Sequence, residues 1–476
     1  MRYRFIYLLI VTFFCLSANA QYRVPQVTDS TMAYYIANVV VQGNKKTKNY
    51  IVIRDITFAK GDSILPQALD EALKRSQQNI FNTALFIEVK LDAIRNPKNR
   101  QDITIFVTVK ERWYIFPNLE FKLYDKNYKE WVNVYNADIS RVQYGVRFVH
   151  NNLSGRRDVL RLNIINGFSK ELSFSYAQPY TDKDLKHGFS IIGGYKSSIG
   201  VNYADSVNAG LPRQLCASCT KPNFRLFSQQ NYFVGVGYNY RISNYANHGT
   251  SITFINNTIA DTVAKKNPNY YTGNILTANI LDINYTYSYG KLDYFAYPTV
   301  GSTFRVGARM RFASKGANQL LLFSFIGKNV ALRKRLFFGS TLSTSLKLMP
   351  SPYNYNNLKS SNLEIPNLRG LEQYLIYNTF DVGLRNSFRF NFIDKKYKLG
   401  LHQKYFDVVP IKAYLRPFAD FGYAYLNTTY YNNYSRLNNK LLYTYGIGLD
   451  VVTIYDFVIR IDYSFNQLGQ RGLFFR

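Results

Sequence analysis

From about Trp113 to Arg476 the chain alternates apolar and polar residues in one short segment after another. This is the period of a β-strand with one apolar and one wet face. In Ser302 to Ala313, Phe304, Val306, Ala308, Met310 and Phe312 share one face while Arg305, Gly307, Arg309 and Arg311 share the other. Leu160, Leu162 and Ile164 alternate with Arg161 and Asn163, and Ile459, Ile461, Tyr463 and Phe465 with Arg460, Asp462 and Ser464. Two folds fit this period: a soluble sandwich whose apolar faces meet in a core, and a transmembrane barrel whose apolar face meets lipid. In the barrel reading the three arginines of one strand face the lumen, because facing lipid would be costly.

Sixteen strands are predicted, from 115–123 to 471–476, with the twelfth at 376–391. An even number is what a bacterial barrel requires. The longer connections, 124–141, 197–227, 258–275, 349–375 and 425–440, then all fall at one end, the expected asymmetry between external loops and periplasmic turns. Composition favours the barrel over the sandwich. The 42 Tyr and 35 Phe suit aromatic girdles at two membrane interfaces, and a mean hydropathy of -0.22 fits a protein that hides its apolar surface in alternation.

The N-terminus reads as a cleaved export signal. Arg2 and Arg4 precede an apolar run from Phe5 to Leu16, and Ser17-Ala18-Asn19-Ala20 offers small residues for cleavage after Ala20. Phe13 and Phe14 argue against a lipoprotein signal built on Cys15. Nothing after Ala20 approaches the ~18 unbroken apolar residues of a membrane helix, so the mature protein either is soluble or spans as strands, and the alternation favours strands. The predicted organisation is a signal peptide at 1–20, a linker at 21–32, a small α+β domain at 33–112 and the barrel at 113–476.

The formal net charge of +29 would point to nucleic acid in a soluble protein. In an exported barrel it is accounted for by basic loops, a polar lumen and anionic lipid headgroups, so lipids are expected partners and nucleic acid is not. Cys216 and Cys219 lie in a long connection, where a local disulfide is the expected state in an oxidising compartment. Half a zinc site or a redox motif is the alternative, supported by neither a second pair nor a nearby histidine. No metal, cofactor or catalytic residue is expected, since His150, His187, His248 and His402 are scattered and lack identifiable catalytic partners.

Residues 33–112 differ from everything downstream. An apolar strand at Ile36–Val41 and a turn at Gly43-Asn44 precede helical stretches at 51–58 and 66–81, followed by strands at 85–93 and 103–110. Pro66 suits a first helical turn, and Leu69, Ala72, Leu73 and Ile80 give that helix one apolar stripe. With Gly61-Asp62 between the helices and Phe81-Asn82-Thr83-Ala84-Leu85-Phe86 leading into the next strand, this β-α-α-β-β unit resembles a POTRA domain, a periplasmic module found before the barrels of transport and assembly proteins.

In the predicted loop between strands eleven and twelve lies Asn367-Leu368-Arg369-Gly370-Leu371. A loop tip that enters a lumen needs a charge-assisted anchor, and a guanidinium can meet a carboxylate bidentately. Gly370 would let the backbone turn tightly behind it. An Arg-Gly in this loop of a sixteen-stranded barrel behind a POTRA-like module resembles the BamA/TamA superfamily of outer-membrane assembly and translocation proteins. The resemblance implies that the loop folds into the lumen and that Arg369 meets Asp420, because Phe418-Ala419-Asp420-Phe421-Gly422 matches the family's aromatic-x-Asp-x-Gly pattern. Gly446, Gly448 and Asp450, with Arg460 and Asp462, match its C-terminal pattern. The chain departs from the family in having Leu368 and Leu371 beside the Arg-Gly, no acidic residue around Gly383-Leu384-Arg385, and Arg476 after Phe474-Phe475.

The resemblance implies an outer-membrane protein that assists insertion, assembly or translocation of polypeptides. Its partners would be outer-membrane or secreted client polypeptides, with periplasmic or lipoprotein partners on the POTRA domain. The alternative is a passive channel or a surface-exposed receptor or antigen, in which basic lumen residues select anions. The short last strand, Gly472 to Phe475, predicts a weak seam against residues near Leu119 to Leu123.

Overall fold

The structure is a computed structural model. It describes residues 33–99, 101–123, 132, 136–205, 212–216, 228–268, 270–271, 275–314, 318–348, 368–371, 376, 378–398, 400, 408–426 and 437–475. The expected signal peptide and linker lie outside these residues, as does most of the 349–375 loop.

The N-terminal unit begins with β1 (Tyr34–Gln42), followed by the short helix α1 (Asn49–Ile53), β2 (Ser63–Ile64) and the long helix α2 (Pro66–Phe81). It closes with β3 (Phe86–Arg95) and β4 (Asp102–Glu111). The strands form one sheet in the order β2-β1-β4-β3, with β1 parallel to β4. Pro66 occupies the first turn of α2, where its missing N–H costs nothing. Ile80 of that helix, Ile51 and Val52 of α1, and Ile36, Ile103, Ile105 and Val107 of the sheet form its core. The helix expected over 51–58 stops at Ile53, and the chain then turns with Asp55 buried beside Arg54.

The barrel strands are β5 (Ile115–Leu123), β6 (Val142–Asn151), β7 (Val159–Gly167), β8 (Ser169–Gln178) and β9 (His187–Ser198). After a hairpin of β10 (Gly200–Asp205) and β11 (Pro212–Cys216) come β12 (Gln229–Arg241), β13 (Ala246–Ile259), β14 (Thr277–Leu292), β15 (Gly301–Ala313) and β16 (Gln319–Arg333). The wall continues through β17 (Leu336–Leu348), β18 (Phe380–Lys398), β19 (Val408–Tyr425), β20 (Leu441–Val452), β21 (Val458–Asn466) and β22 (Arg471–Phe475). Sixteen of these form a single antiparallel sheet in sequence order from β5 to β22, skipping only the hairpin. The expected all-β barrel of sixteen strands is therefore what the chain forms. Two expectations change. Residues 197–227 contain the β10–β11 hairpin, and the twelfth barrel strand runs from Phe380 to Lys398 instead of 376 to 391, because the ladders with β17 and β19 both begin at Phe380 and that with β19 continues to Lys398.

The alternation sorts the two faces as its period requires. Val306, Met310 and Phe312 are exposed on the outside, as are Ile164, Leu172, Val236, Phe254 and Ile447 on other strands. Left in water, each such side chain would forgo ~1.5–3 kcal/mol of burial, so the band marks the lipid-facing surface of an outer-membrane-type barrel. On the inside, Arg311 meets Asp282 through two 2.7 Å hydrogen bonds, and Arg147 bridges Glu120 and Glu171.

The POTRA-like unit is held against the near end of the barrel by polar contacts with its turns. Asp55 accepts from Arg54 and from Arg241 at the end of β12, at 2.9 and 2.7 Å. Arg54 also lies over the ring of Tyr180, 3.5 Å from its centroid; burial pulls the guanidinium below its ordinary range, and Asp55 opposes that pull. Asn82, which caps α2, donates to the Leu292 carbonyl and accepts from the Phe295 amide, both at 3.1 Å. Asp55→Ala would leave two buried cations facing one another and should weaken this docking by about 3 kcal/mol. Trypsin cleavage at the buried Arg112 should become about a hundredfold faster where undocking is fast relative to cleavage; an unchanged rate would mean that other contacts hold the unit.

Candidate functional site: a folded-in loop and the luminal arginines

The burial pattern of β19 explains why its motif points inward. Arg416, Phe418, Asp420, Gly422 and Ala424 are buried while Leu415, Pro417, Phe421 and Tyr425 are exposed. This places one carboxylate, one aromatic ring and one arginine on the same luminal stripe.

Arg369 reaches Asp420 from the loop tip. Its Nε donates to Asp420 Oδ2 at 2.8 Å, its Nη2 donates to Oδ1, and its backbone N–H donates to Oδ2 at 3.2 Å. Nη2 also donates to the Asn386 carbonyl at 3.1 Å. Both side chains are almost wholly buried, at 3% and 0% exposure, so the pair depends on this bidentate geometry to offset desolvation. Gly370 follows at φ +87°, and a Cβ there would lie 2.9 Å from Ser464 Cβ; only glycine combines that turn with that approach. Its carbonyl accepts from Asn466 Nδ2 at 3.0 Å. Leu368 and Leu371 pack with Ile376, Ala424, Leu437 and Leu442, which explains aliphatic residues at both positions. Gly422 makes room for Leu368, whose Cδ1 would lie 2.8 Å from a Cβ there.

A second cluster lies below the first on the same stripe. Arg416 donates through Nε and Nη2 to Asp450 of β20 at 2.7 and 2.9 Å, and also to Asp462 of β21. Gly448 lies against it, with Arg416 Nη2 2.7 Å from where a Cβ would stand. Gly446 plays the same part for the ring of Phe418. Phe418 itself joins the clusters. The Arg369 guanidinium lies 3.9 Å and that of Arg416 5.5 Å from its ring centroid, so one aromatic ring faces two cations.

The turn 293–300, between β14 and β15, folds up to meet these groups. Tyr297 OH donates to Asp450 at 2.7 Å, and the Arg460 guanidinium lies 6.0 Å from its ring centroid. Tyr294 OH donates to Asp456 at 2.6 Å. Burial first, and the carboxylate behind it, pushes the Tyr294 phenol well above its ordinary range, so it remains a donor.

The barrel seam is the other unusual feature. Fifteen ladders join the sixteen strands, but none joins β5 to β22 among the described residues. Leu119 and Phe121 on one side and Phe475 on the other are 84%, 72% and 71% exposed, as unpaired edges would be. Among the described residues, side chains reach across near the POTRA-like unit. There Arg112 donates to Asp456 at 2.7 Å, and the rings of Phe116 and Tyr455 lie 5.9 Å apart. Tyr455 and Asp456 both have left-handed backbone, φ 61° and 63°, a sparsely populated conformation that lets the β20–β21 turn present both side chains across the seam.

The structure thus brings Arg369 to Asp420, and Asp450 and Asp462 to one another through Arg416. It leaves Arg460 facing a tyrosine ring. Cys216 ends β11, whereas Cys219, with Asn367, lies outside the described residues. Sequence reading did not single out Arg416, Tyr297 or the Arg112–Asp456 clasp. Arg416 was findable from the period of two, since it shares the stripe of Phe418 and Asp420, but a turn tyrosine reaching into a lumen leaves no mark in periodicity. Asp381, at the outset of β18, accepts from Ser345 and Asn378.

Residues 34–112 match the family described as POTRA, surface antigen variable number repeat. Among solved structures the chain is similar to BamA from Haemophilus ducreyi lacking POTRA domains 1–3, with 13% identity and a TM-score of 0.50 over 94% of this chain and 84% of that one. It also matches CdiB from Acinetobacter baumannii, at 10% identity and TM-score 0.46 over 93% and 73% of the two chains. For CdiB from Escherichia coli the values are 8% and 0.46, over 97% and 92%. No curated protein is significantly similar in sequence. The chain is thus a POTRA domain followed by a sixteen-stranded barrel, similar in fold to the BamA structure.

Removing one partner of the buried Arg369–Asp420 pair strands the other. Arg369→Ala should lower barrel stability by about 3–5 kcal/mol, and adding Asp420→Ala should recover part of that loss. Thermal unfolding in detergent micelles measures both, and strictly additive effects would contradict the pairing. Gly370→Ala should cost about 1–2 kcal/mol more than an alanine at a relaxed position.

Proposed function

We propose that this protein assists insertion, assembly or translocation of polypeptides at the bacterial outer membrane, with its POTRA domain in the periplasm. The observation that carries this reading is the seam. A strand edge in lipid leaves backbone groups unpaired at a cost of several kcal/mol each, and a client strand could pair with β5 or with the five residues of β22. The POTRA sheet offers a second edge at β3, where β-strand addition could hand on an extended client or seat a periplasmic or lipoprotein partner.

The luminal loop supports the same reading. A passive channel needs an open path, and here Leu368 to Leu371 occupy the lumen, bound to its wall by Asp420 and Asn466. In an assembly protein the Arg369–Asp420 pair would brace the wall formed by β18 to β21 while the seam moves.

Depletion of the protein followed by outer-membrane proteomics should show loss of barrel proteins for an insertase, or of one secreted protein for an exporter. Wild-type protein should restore them, and Arg369→Ala should not. An unchanged outer membrane would sink the proposal and favour a channel or receptor. A disulfide engineered between β5 and β22 should also impair the activity, whereas full activity of the crosslinked protein would count against a moving seam.

A further inference from the structure

The lumen contains a chamber of about 1180 Å³ between the POTRA domain and the folded-in loop. Asn79 and Asn82 of α2 line its near end and Arg369 its far end. Ten lysine and arginine side chains line it against two carboxylates, Asp55 and Asp450. We propose that this chamber binds an acidic, extended segment of polypeptide entering from the POTRA side.

The argument is one of uncompensated charge. Elsewhere in the lumen cations meet carboxylates: Arg311 has Asp282, and Arg147 and Lys196 share Glu120 and Glu171. Within the chamber, Arg241, Arg369 and Arg416 are paired. Arg161, Arg305 and Arg460, by contrast, make no ion pair among the described residues. Arg385 comes no closer than 3.9 Å to Asp420, which Arg369 already holds. Like charges gathered in a partly enclosed space repel one another more strongly than in bulk water, and an anionic ligand relieves that repulsion.

The layout selects the kind of anion. Arg161 stands on β7, Arg305 on β15 and Arg460 on β21, well separated along the wall, so the cations surround a space instead of converging on one point. A single phosphate could engage the cations of one wall but not those of β7, β15 and β21 together. The acyl chains of a phosphorylated lipid would be set among guanidiniums. An extended peptide rises about 3.3 Å per residue and turns successive side chains to opposite sides, so alternating carboxylates can reach arginines on several walls at once. The volume exceeds the ~300–1,000 Å³ of small-molecule sites, as a peptide segment requires.

The inference depends on the proposed function only in taking the segment to belong to a client. Its test uses the full-length protein in detergent micelles and a fluorescent peptide alternating Glu with Ser, compared with the same peptide carrying Gln for Glu. The Glu peptide should bind about tenfold more tightly, with an advantage that shrinks as salt rises. R161Q/R305Q/R460Q should lose about tenfold in affinity, while R161K/R305K/R460K, which keeps the charge, should bind as the wild type does. Equal affinity for the two peptides, an undiminished affinity in the Gln variant, or equal losses in the Lys and Gln variants would overturn the proposal. Displacement of the peptide by inorganic phosphate at equal total charge would also overturn it, leaving a small-anion site only. Peptide binding by a protein whose depletion leaves the outer membrane unchanged would defeat the proposed function and spare the chamber. Full rescue of a depletion phenotype by R161Q/R305Q/R460Q would do the reverse.

Discussion

The whole architecture answers to one constraint: a backbone amide or carbonyl that faces hydrocarbon must find a partner within the protein. Fifteen antiparallel ladders meet that demand around the wall. Between β5 and β22 it is left unmet among the described residues, while Arg112 to Asp456 and Phe116 against Tyr455 tie the start of β5 to the β20–β21 turn. A short last strand therefore has a consequence beyond its own few bonds. It makes the seam the least stable line in the barrel, while the strands on either side are deeply paired.

The lumen explains how such a barrel keeps its shape. Arg369, Phe418 and Arg416 stack in sequence, Arg416 holds Asp450 and Asp462, and Asp450 accepts from Tyr297. Tyr297 belongs to the turn that Asn82 of the POTRA domain grips. A continuous set of contacts thus runs from a loop at the far end of the barrel to the helix beneath it. Every link except the Asn82 bonds uses charge or an aromatic face in a low-dielectric interior, where such contacts are strong when satisfied and costly when broken. The same interior leaves Arg161, Arg305 and Arg460 without an ion pair among the described residues, so the contacts that brace β18 to β21 stand beside a chamber whose remaining cations are uncompensated.

Much of this was legible in the chain. The period of two revealed the barrel and which residues face lipid, because in a membrane that alternation is enforced at every strand. The Asp420 motif was legible through its resemblance to the family's aromatic-x-Asp-x-Gly pattern, whose two-residue spacing puts Phe418, Asp420 and Gly422 on one face. Where β18 begins was not legible: Tyr374 to Thr379 have residues as strand-like as those of Phe380 to Phe390, and ladder partners on β17 and β19 decide the matter. The turn 293–300 and the clasp at Asp456 escaped for a related reason. The turn and the clasp are fixed by contacts between segments separated in sequence, which no local pattern records.

Among the described residues a ladder joins every neighbouring pair of wall strands except β5 and β22, and amide hydrogen exchange of the protein in lipid nanodiscs tests this most directly. The account predicts rapid exchange in β5 and β22 on their seam-facing amides, against slow exchange in β14 to β20. Protection of β5 and β22 equal to that of their neighbours would show a sixteenth ladder and contradict the account.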